Sequence, residues 1–247
     1  MSNSTAPWHE FDSGHYFSLN YSRPREDDIR IVELVRDFFA TVALPAGARG
    51  IDVGTGTNLY PALALLPLCE EGLTLWEYAS PNIEWLENQL ASYSPSWDQF
   101  WRLLRESPRH AAVTDPRQAL RSRAVIRQGS IFDLPQEEWD VGTMFFVAES
   151  ISSQVAEFRA ATRGFLRALR PGSPFAAAFM ENSAGYDVGG TSFPAVPVSA
   201  ADLREVMAGL TEDVGIDRID IDGKPLREGY SGMLLVRGTT ARKEGPR

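Results

Sequence analysis

Apolar residues at positions 29, 31, 32, 34, 35, 38, 39 and 42 recur with a helical period, so Arg25 to Ala43 is expected to form one amphipathic helix. Pro45 and Gly47 should end it. Beyond them, short apolar runs alternate with helical ones. Strand 50–53 leads to helix 58–69, strand 73–78 to helix 81–92, and strand 123–127 to a loop at 128–138. Strand 140–148 leads to helix 154–169, which stops at Arg170-Pro171-Gly172, and strand 174–180 follows. A helix over 200–209, capped by Ser199, precedes the last strands at 214–221 and 230–237. This alternation predicts an α/β fold with a doubly wound, mostly parallel sheet. The segment IDGKPLREG between the last two strands reads as a hairpin connection, which would make the last strand antiparallel.

Two segments interrupt the alternation: residues 93–121, which hold Trp97 and Trp101, and the Gly/Pro-rich residues 182–198. Long insertions in compact domains tend to carry function. Together with the aromatic segment WHEFDSGHYFSLNY at 8–21, both are expected to roof the carboxyl edge of the sheet. Tyr186, Phe193 and the two tryptophans would then line an acceptor pocket, with core packing an equal alternative for the tryptophans. His15 is expected to pack among the lid aromatics.

Composition narrows the function classes. A chain of 247 residues can bury a full core and is expected to form one domain, with residues 8–45 as lid and helix and 50–238 as core. Its net charge of −9 and its lack of a basic cluster argue against a nucleic-acid partner. No run approaches the 18 uninterrupted apolar residues of a membrane span, and Met1–Pro7 is polar, so a cytoplasmic location is the default expectation. Cys69 is the sole cysteine, which excludes an intramolecular disulfide and a cysteine-rich metal site; it should be a small buried hydrophobe. The tail 241–247 is expected to be disordered, and a monomer is compatible with all of this.

The chemistry concentrates at GIDVGTGTNLY, residues 50–60. Ile51 and Val53 read as a buried strand, and Gly54 and Gly56 allow backbone to approach a ligand. A helix opening at Asn58 would leave its first N–H groups unpaired by the helix itself. Such a turn is a small-molecule site at the carboxyl edge of a sheet. Glu77 ends the next apolar run, where a carboxylate reaches ribose hydroxyls. That serves NAD and S-adenosylmethionine equally. Leu59 stands where a dinucleotide fingerprint wants its third glycine, which favours the phosphate-free cofactor.

Nearly the whole chain, from Phe11 to about Arg237, resembles the small-molecule class I methyltransferases typified by phenylethanolamine, nicotinamide and indolethylamine N-methyltransferases. The similarity lies in IDVGTGTNLY, in FDSGHYFSLNYSRPR (11–25) and in EYASPN (77–82). WDVGTMFFVAES (139–150), FLRALRPGSPF (165–175) and YDVGGTSFPAVPVS (186–199) follow in matching order. The resemblance implies a seven-stranded Rossmann-like methyltransferase domain with an N-terminal lid. It implies that Gly54, Thr55, Gly56 and Asn58 hold the methionine part of S-adenosylmethionine, with Tyr16, Tyr21 and Tyr60 near its carboxylate. Glu77 would accept from the ribose hydroxyls, Tyr78 and Asn82 would flank ribose and adenine, Asp52 would organise the loop, and Phe145 would join the cofactor set. Where the family carries an Asp near the adenine amino group this chain has Ser130, so the contact falls to Asp133 or to Ser130 with Ile131.

The resemblance also places Glu149 on the family's acid beside the reacting atom. From the residues alone, Glu149 ends an apolar run at the carboxyl edge and should face the crevice, able to hold a cationic amine or accept a proton. Glu181 sits similarly after strand 174–180 and is the second catalytic candidate, the resemblance placing the family's second acid at Glu181 or at Asn182. The function expected is methyl transfer to a small-molecule acceptor, at an amine or ring nitrogen. The alternatives are C- or O-methylation of an aromatic such as an indole, a nicotinamide-dinucleotide oxidoreductase, or a non-catalytic binding module.

Overall fold

A computed structural model describes residues 1–221 and 229–243. Five parallel strands are β1 (Gly50–Val53), β2 (Leu73–Glu77), β3 (Ala124–Gln128), β4 (Val141–Phe145) and β5 (Pro174–Glu181). They join β8 (Thr211–Ile219) and β9 (Gly232–Thr240) in one sheet of order β3-β2-β1-β4-β5-β9-β8. A separate antiparallel pair, β6 (Gly185–Val188) and β7 (Thr191–Pro194), lies within the second interrupting segment. The sheet is the seven-stranded, mostly parallel one expected. β9 inserts antiparallel between β5 and β8, as the hairpin reading required. Strand order reverses between β1 and β4, so the two crossovers diverge there and leave a crevice at their carboxyl ends.

Helices cover both faces because the central strands are apolar on both sides. In β5, Ala176, Ala178 and Met180 pack with α2 (Glu26–Thr41) and α3 (Tyr60–Leu65), whereas Phe175, Ala177 and Phe179 meet α8 (Val155–Ala168) and α9 (Ala200–Met207). The strand's period of two thus feeds two cores. α1 (Ser13–Asn20) and α4 (Ser80–Ala91) stand near the crevice, α4 following β2 directly.

Several boundaries moved for local reasons. The helix expected at 58–69 is α3 followed by a 3₁₀ turn, Leu66–Leu68, because Pro67 cannot donate into an α-helical ladder. The strand expected at 140–148 ends at Phe145, since Phe146 turns the chain with φ of 61°. Residues 93–121 do not roof the sheet. They form α5 (Trp97–Leu104), α6 (Pro108–Ala111) and α7 (Pro116–Arg123), and α5 packs against α2 and α3. Trp97 and Trp101 are therefore core residues, packed with Phe100 and His110 respectively. Cys69 is buried as expected, and burial pushes its thiol pKa up. In the tail, Arg242 N donates to Glu212 Oε1 and Lys243 pairs with Glu137, so 241–243 are anchored. Residues 222–228 of the expected hairpin connection and 244–247 of the tail lie outside the described residues.

Candidate functional site

The turn after β1 is shaped by glycine. Gly54 takes φ of 64°, and a Cβ there would lie 2.6 Å from Val147 Cγ2, so the loop after β4 passes too close for any side chain. Gly56 takes φ of 53°, but a Cβ on it would meet nothing nearer than Gly54 O at 3.6 Å. The first glycine serves packing; the second opens onto space.

Glu77, at the end of β2, is 5 % exposed and organises the floor of that space. Its Oε2 accepts from Gly56 N at 2.8 Å, and its Oε1 accepts from Tyr78 N and Ala79 N, each at 2.8 Å. Burial raises its pKa, and the three backbone N–H groups with the Asn82 side chain oppose that rise. Asn82 Oδ1 accepts from Ser13 Oγ at 2.7 Å, tying α4 to α1. Behind the turn, Asp52 Oδ1 accepts from Thr143 Oγ1 at 2.7 Å, and burial lifts its pKa to about 7.

These groups border a cleft of about 810 Å³, measured out to its open mouth. Gly54, Thr55, Gly56, Asn58, Glu77, Tyr78, Asn82, Ile131 and Phe145 all line it, as do Tyr16 and Tyr21 from the N-terminal segment. Of the other residues expected at the site or beside it, the informative ones are those that stay away. Tyr60 lies beneath Tyr21 and Phe145, at ring distances of 6.1 and 5.8 Å, with its hydroxyl toward the buried Asp28. Ser130 caps a 3₁₀ turn by accepting from Phe132 N, and Asp133 is exposed; neither lines the cleft.

The opposite wall is aromatic. Trp8 stacks on Phe193 at 5.2 Å, and Phe193 stacks on Tyr186 at 5.5 Å. Phe11 reaches both Phe193 and Tyr16, at 5.2 and 5.3 Å. Trp8, Phe11, Tyr16 and Tyr186 line the cleft, while Phe193 supports them from behind. The N-terminal segment and the β6–β7 hairpin thus form the roof. His15 does not join these aromatics; it lies exposed on the outer face of α1, where only its backbone N–H is used, donating to Asp12 Oδ1.

Both acids expected to act on the acceptor lie off the cleft. Glu149 is fully buried, and its Oε1 accepts from Met180 N at 3.0 Å and Ser150 Oγ at 3.2 Å. Because β4 ends four residues earlier than Glu149, the turn at Phe146 and Val147 redirects the chain, and it is Ser150 that borders the cleft. Glu181 accepts from Arg218 Nε at 2.8 Å and Ser231 Oγ at 2.9 Å, beside β8 and β9. Among the lining residues Glu77 alone carries an ionisable acid, and no Lys, Arg or His is present.

Sequence reasoning missed Asn3, Thr57, Trp76, Phe146, Val147, Ser150 and Ile151 as lining residues. Thr57 adjoins the glycines and was available to the same argument. Asn3 carried no signal, since only the fold brings residue 3 to this edge.

No family model and no curated relative matches this chain. Solved structures do share its fold. The DhpI–SAM–HEP complex is 14 % identical, with a TM-score of 0.55 over 95 % of each chain. An S-adenosylmethionine-dependent methyltransferase from Methanosarcina mazei is 13 % identical, with a TM-score of 0.53 over 85 % of this chain and 98 % of that one. The Burkholderia thailandensis 1,6-didemethyltoxoflavin-N1-methyltransferase, solved with bound 1,6-didemethyltoxoflavin and S-adenosylhomocysteine, is 13 % identical, with a TM-score of 0.51 over 87 % of this chain and 80 % of that one. At these identities the likeness is one of fold.

Proposed function

We propose that this chain is an enzyme that transfers a methyl group from S-adenosylmethionine to a small, flat, uncharged acceptor, at a ring nitrogen. The observation that carries the reading is Glu77, buried on the cleft floor and fixed by the N–H groups of Gly56, Tyr78 and Ala79. A carboxylate held so firmly beside an open glycine turn suits the vicinal hydroxyls of a ribose. Buried Thr57 Oγ1, without a hydrogen-bond partner among the described residues, supplies a further polar contact at the same turn. The fold neighbours that carry S-adenosylmethionine or its demethylated product support the choice of cofactor.

A nicotinamide dinucleotide fits less well. Its pyrophosphate would want a third glycine or a cation, and this chain offers fully buried Leu59 and a lining without Lys or Arg.

When bound, S-adenosylmethionine supplies a methyl group on a cationic sulfonium, ready for in-line displacement. The protein's task is alignment and exclusion of water. Trp8, Phe11, Tyr16 and Tyr186 provide flat apolar surface for a ring, and Ser150 and the Tyr186 hydroxyl give a polar edge. Glu149 positions that edge, because Ser150 Oγ donates to its carboxylate. A protonated aliphatic amine would need a counter-charge that the lining lacks, whereas a ring nitrogen with a free lone pair needs neither counter-charge nor base. The aromatic wall equally favours a second reading, methylation at carbon or oxygen of an aromatic ring. Incubation with S-adenosylmethionine and a panel of azines, indoles, phenols and alkylamines, read by mass spectrometry, tests the proposal. A gain of one methyl group on azines is expected; methylation of alkylamines alone would overturn the acceptor assignment.

A further inference from the structure

We propose that Asn3 determines acceptor specificity, its side-chain amide donating to an in-plane lone pair of a planar heteroaromatic ring other than the lone pair that takes the methyl group; this rests on the methyl-transfer reading above. Asn3 opens a short 3₁₀ turn, Asn3–Thr5, is 7 % exposed and borders the cleft. Its position is fixed from two sides. Its backbone N donates to Glu157 Oε2 at 2.8 Å, which pins the segment to the first turn of α8. Trp8 Nε1 donates to both Asn3 O and Asn3 Oδ1, at 3.0 and 3.1 Å.

The second contact decides the chemistry. An indole N–H only donates, so the branch of the Asn3 carboxamide facing Trp8 is the oxygen. The other branch is then the NH₂ group, for which the described residues offer no hydrogen-bond acceptor. Its orientation cannot relax by an amide flip, since that would set two donors against each other. Trp8 is itself held by stacking on Phe193, so the donor belongs to the same rigid roof as the aromatic wall. A cleft with flat walls, one fixed amide donor and no charged group on the acceptor side selects a neutral ring with a lone pair in its plane.

The test compares isoquinoline with naphthalene, two flat bicycles of equal size that differ by one ring nitrogen. Equilibrium dialysis would measure both against protein saturated with S-adenosylhomocysteine, for the wild type, Asn3→Leu and Trp8→Phe. Asn3→Leu should shift the isoquinoline-to-naphthalene affinity ratio toward naphthalene by about 5- to 10-fold, the worth of one such hydrogen bond. Trp8→Phe keeps the stacked ring but frees the amide to rotate, and should shift the ratio in the same direction by less. Melting temperatures identify any variant that fails to fold, and Trp8→Phe, which keeps the ring, then carries the test. An unchanged ratio in both variants, or no binding of either probe, would overturn the inference. If S-adenosylhomocysteine itself does not bind, the methyl-transfer reading fails, and the ratio is measured on the protein without it.

Discussion

The two halves of the cleft are built by opposite means. On the β1–β2 side, a polar floor is held by backbone: Glu77 accepts from three main-chain N–H groups, and Gly54 and Gly56 set the turn. On the other side, side chains from distant parts of the chain stack into a wall, with Trp8 and Phe11 meeting Tyr186 and Phe193 of the β6–β7 hairpin. Backbone-held geometry tolerates little change, which suits a constant ligand. A wall of stacked rings can be re-tailored one residue at a time, which suits the variable partner. The fold fixes the first half locally and the second only through long-range packing.

The sharpest way to break this contrast is Glu77→Ala. It removes the acceptor from Gly56 N, Tyr78 N and Ala79 N at once. A hydrogen bond to a charged group is worth about 1.5–3 kcal/mol, so losing those that a ribose diol would donate should lower affinity for S-adenosylhomocysteine by about 100-fold or more in calorimetric titration. Normal affinity would show that the floor does not hold the cofactor.

Phe193→Leu probes the opposite half. It keeps an apolar side chain but deletes the ring that Trp8 and Tyr186 stack on. Each aromatic pair is worth about 0.5–1.5 kcal/mol, so the acceptor KM should rise about 5-fold while S-adenosylhomocysteine affinity stays within about 2-fold. Equal losses on both ligands would mean that the two halves are one unit.

Glu149→Gln should act more weakly on turnover than its place in the sequence suggests. The change keeps the side chain's shape and the oxygen that Met180 N donates to, so the rate on an accepted acceptor should fall less than about 5-fold, with a lower melting temperature. A fall of about 100-fold in a stably folded variant would put this carboxylate at the reacting atom after all. Glu181→Gln, which touches only the Arg218 and Ser231 pairings, should leave turnover unchanged.

The smallest effect concerns pH. Burial, reinforced by Asp27, raises the pKa of Asp28 from 3.8 to about 7. The folded state then holds the proton more tightly than the unfolded state. The stability this contributes is complete below the unfolded value and is lost as pH rises through about 7. Asp28→Asn should therefore flatten the decline in melting temperature between about pH 4 and pH 7. Parallel profiles for variant and wild type would refute the assignment.

How much of this was legible in the sequence follows the same divide. Gly54, Gly56, Glu77 and Asn82 lie within 29 residues of one another, in one strand–turn–helix–strand–helix unit, and their meeting point could be read from spacing. The mostly parallel sheet was legible from hydrophobic period and the antiparallel last strand from the turn-like connection before it, whereas the strand order and its switch point came only with the fold. Glu149 was misplaced because one residue, Phe146, adopts a left-handed conformation that an apolar run does not advertise. Trp97 and Trp101 were ambiguous because an aromatic-rich helix looks alike whether it roofs a pocket or fills a core. The roof was half legible: the aromatics of 8–21 announced it, but the contribution of Asn3 depends on a contact with Glu157, 154 residues away.

The ligand bound on the floor of the cleft decides between a methyl donor and a dinucleotide. Wild-type protein should be titrated in a calorimeter with S-adenosylhomocysteine and, separately, with NADH. One equivalent of S-adenosylhomocysteine should bind, with NADH giving no saturable heat and failing to displace it. Saturable NADH binding that excludes S-adenosylhomocysteine, or no binding of S-adenosylhomocysteine to folded protein, would contradict the assignment of Glu77 and its glycine turn to a methyl donor.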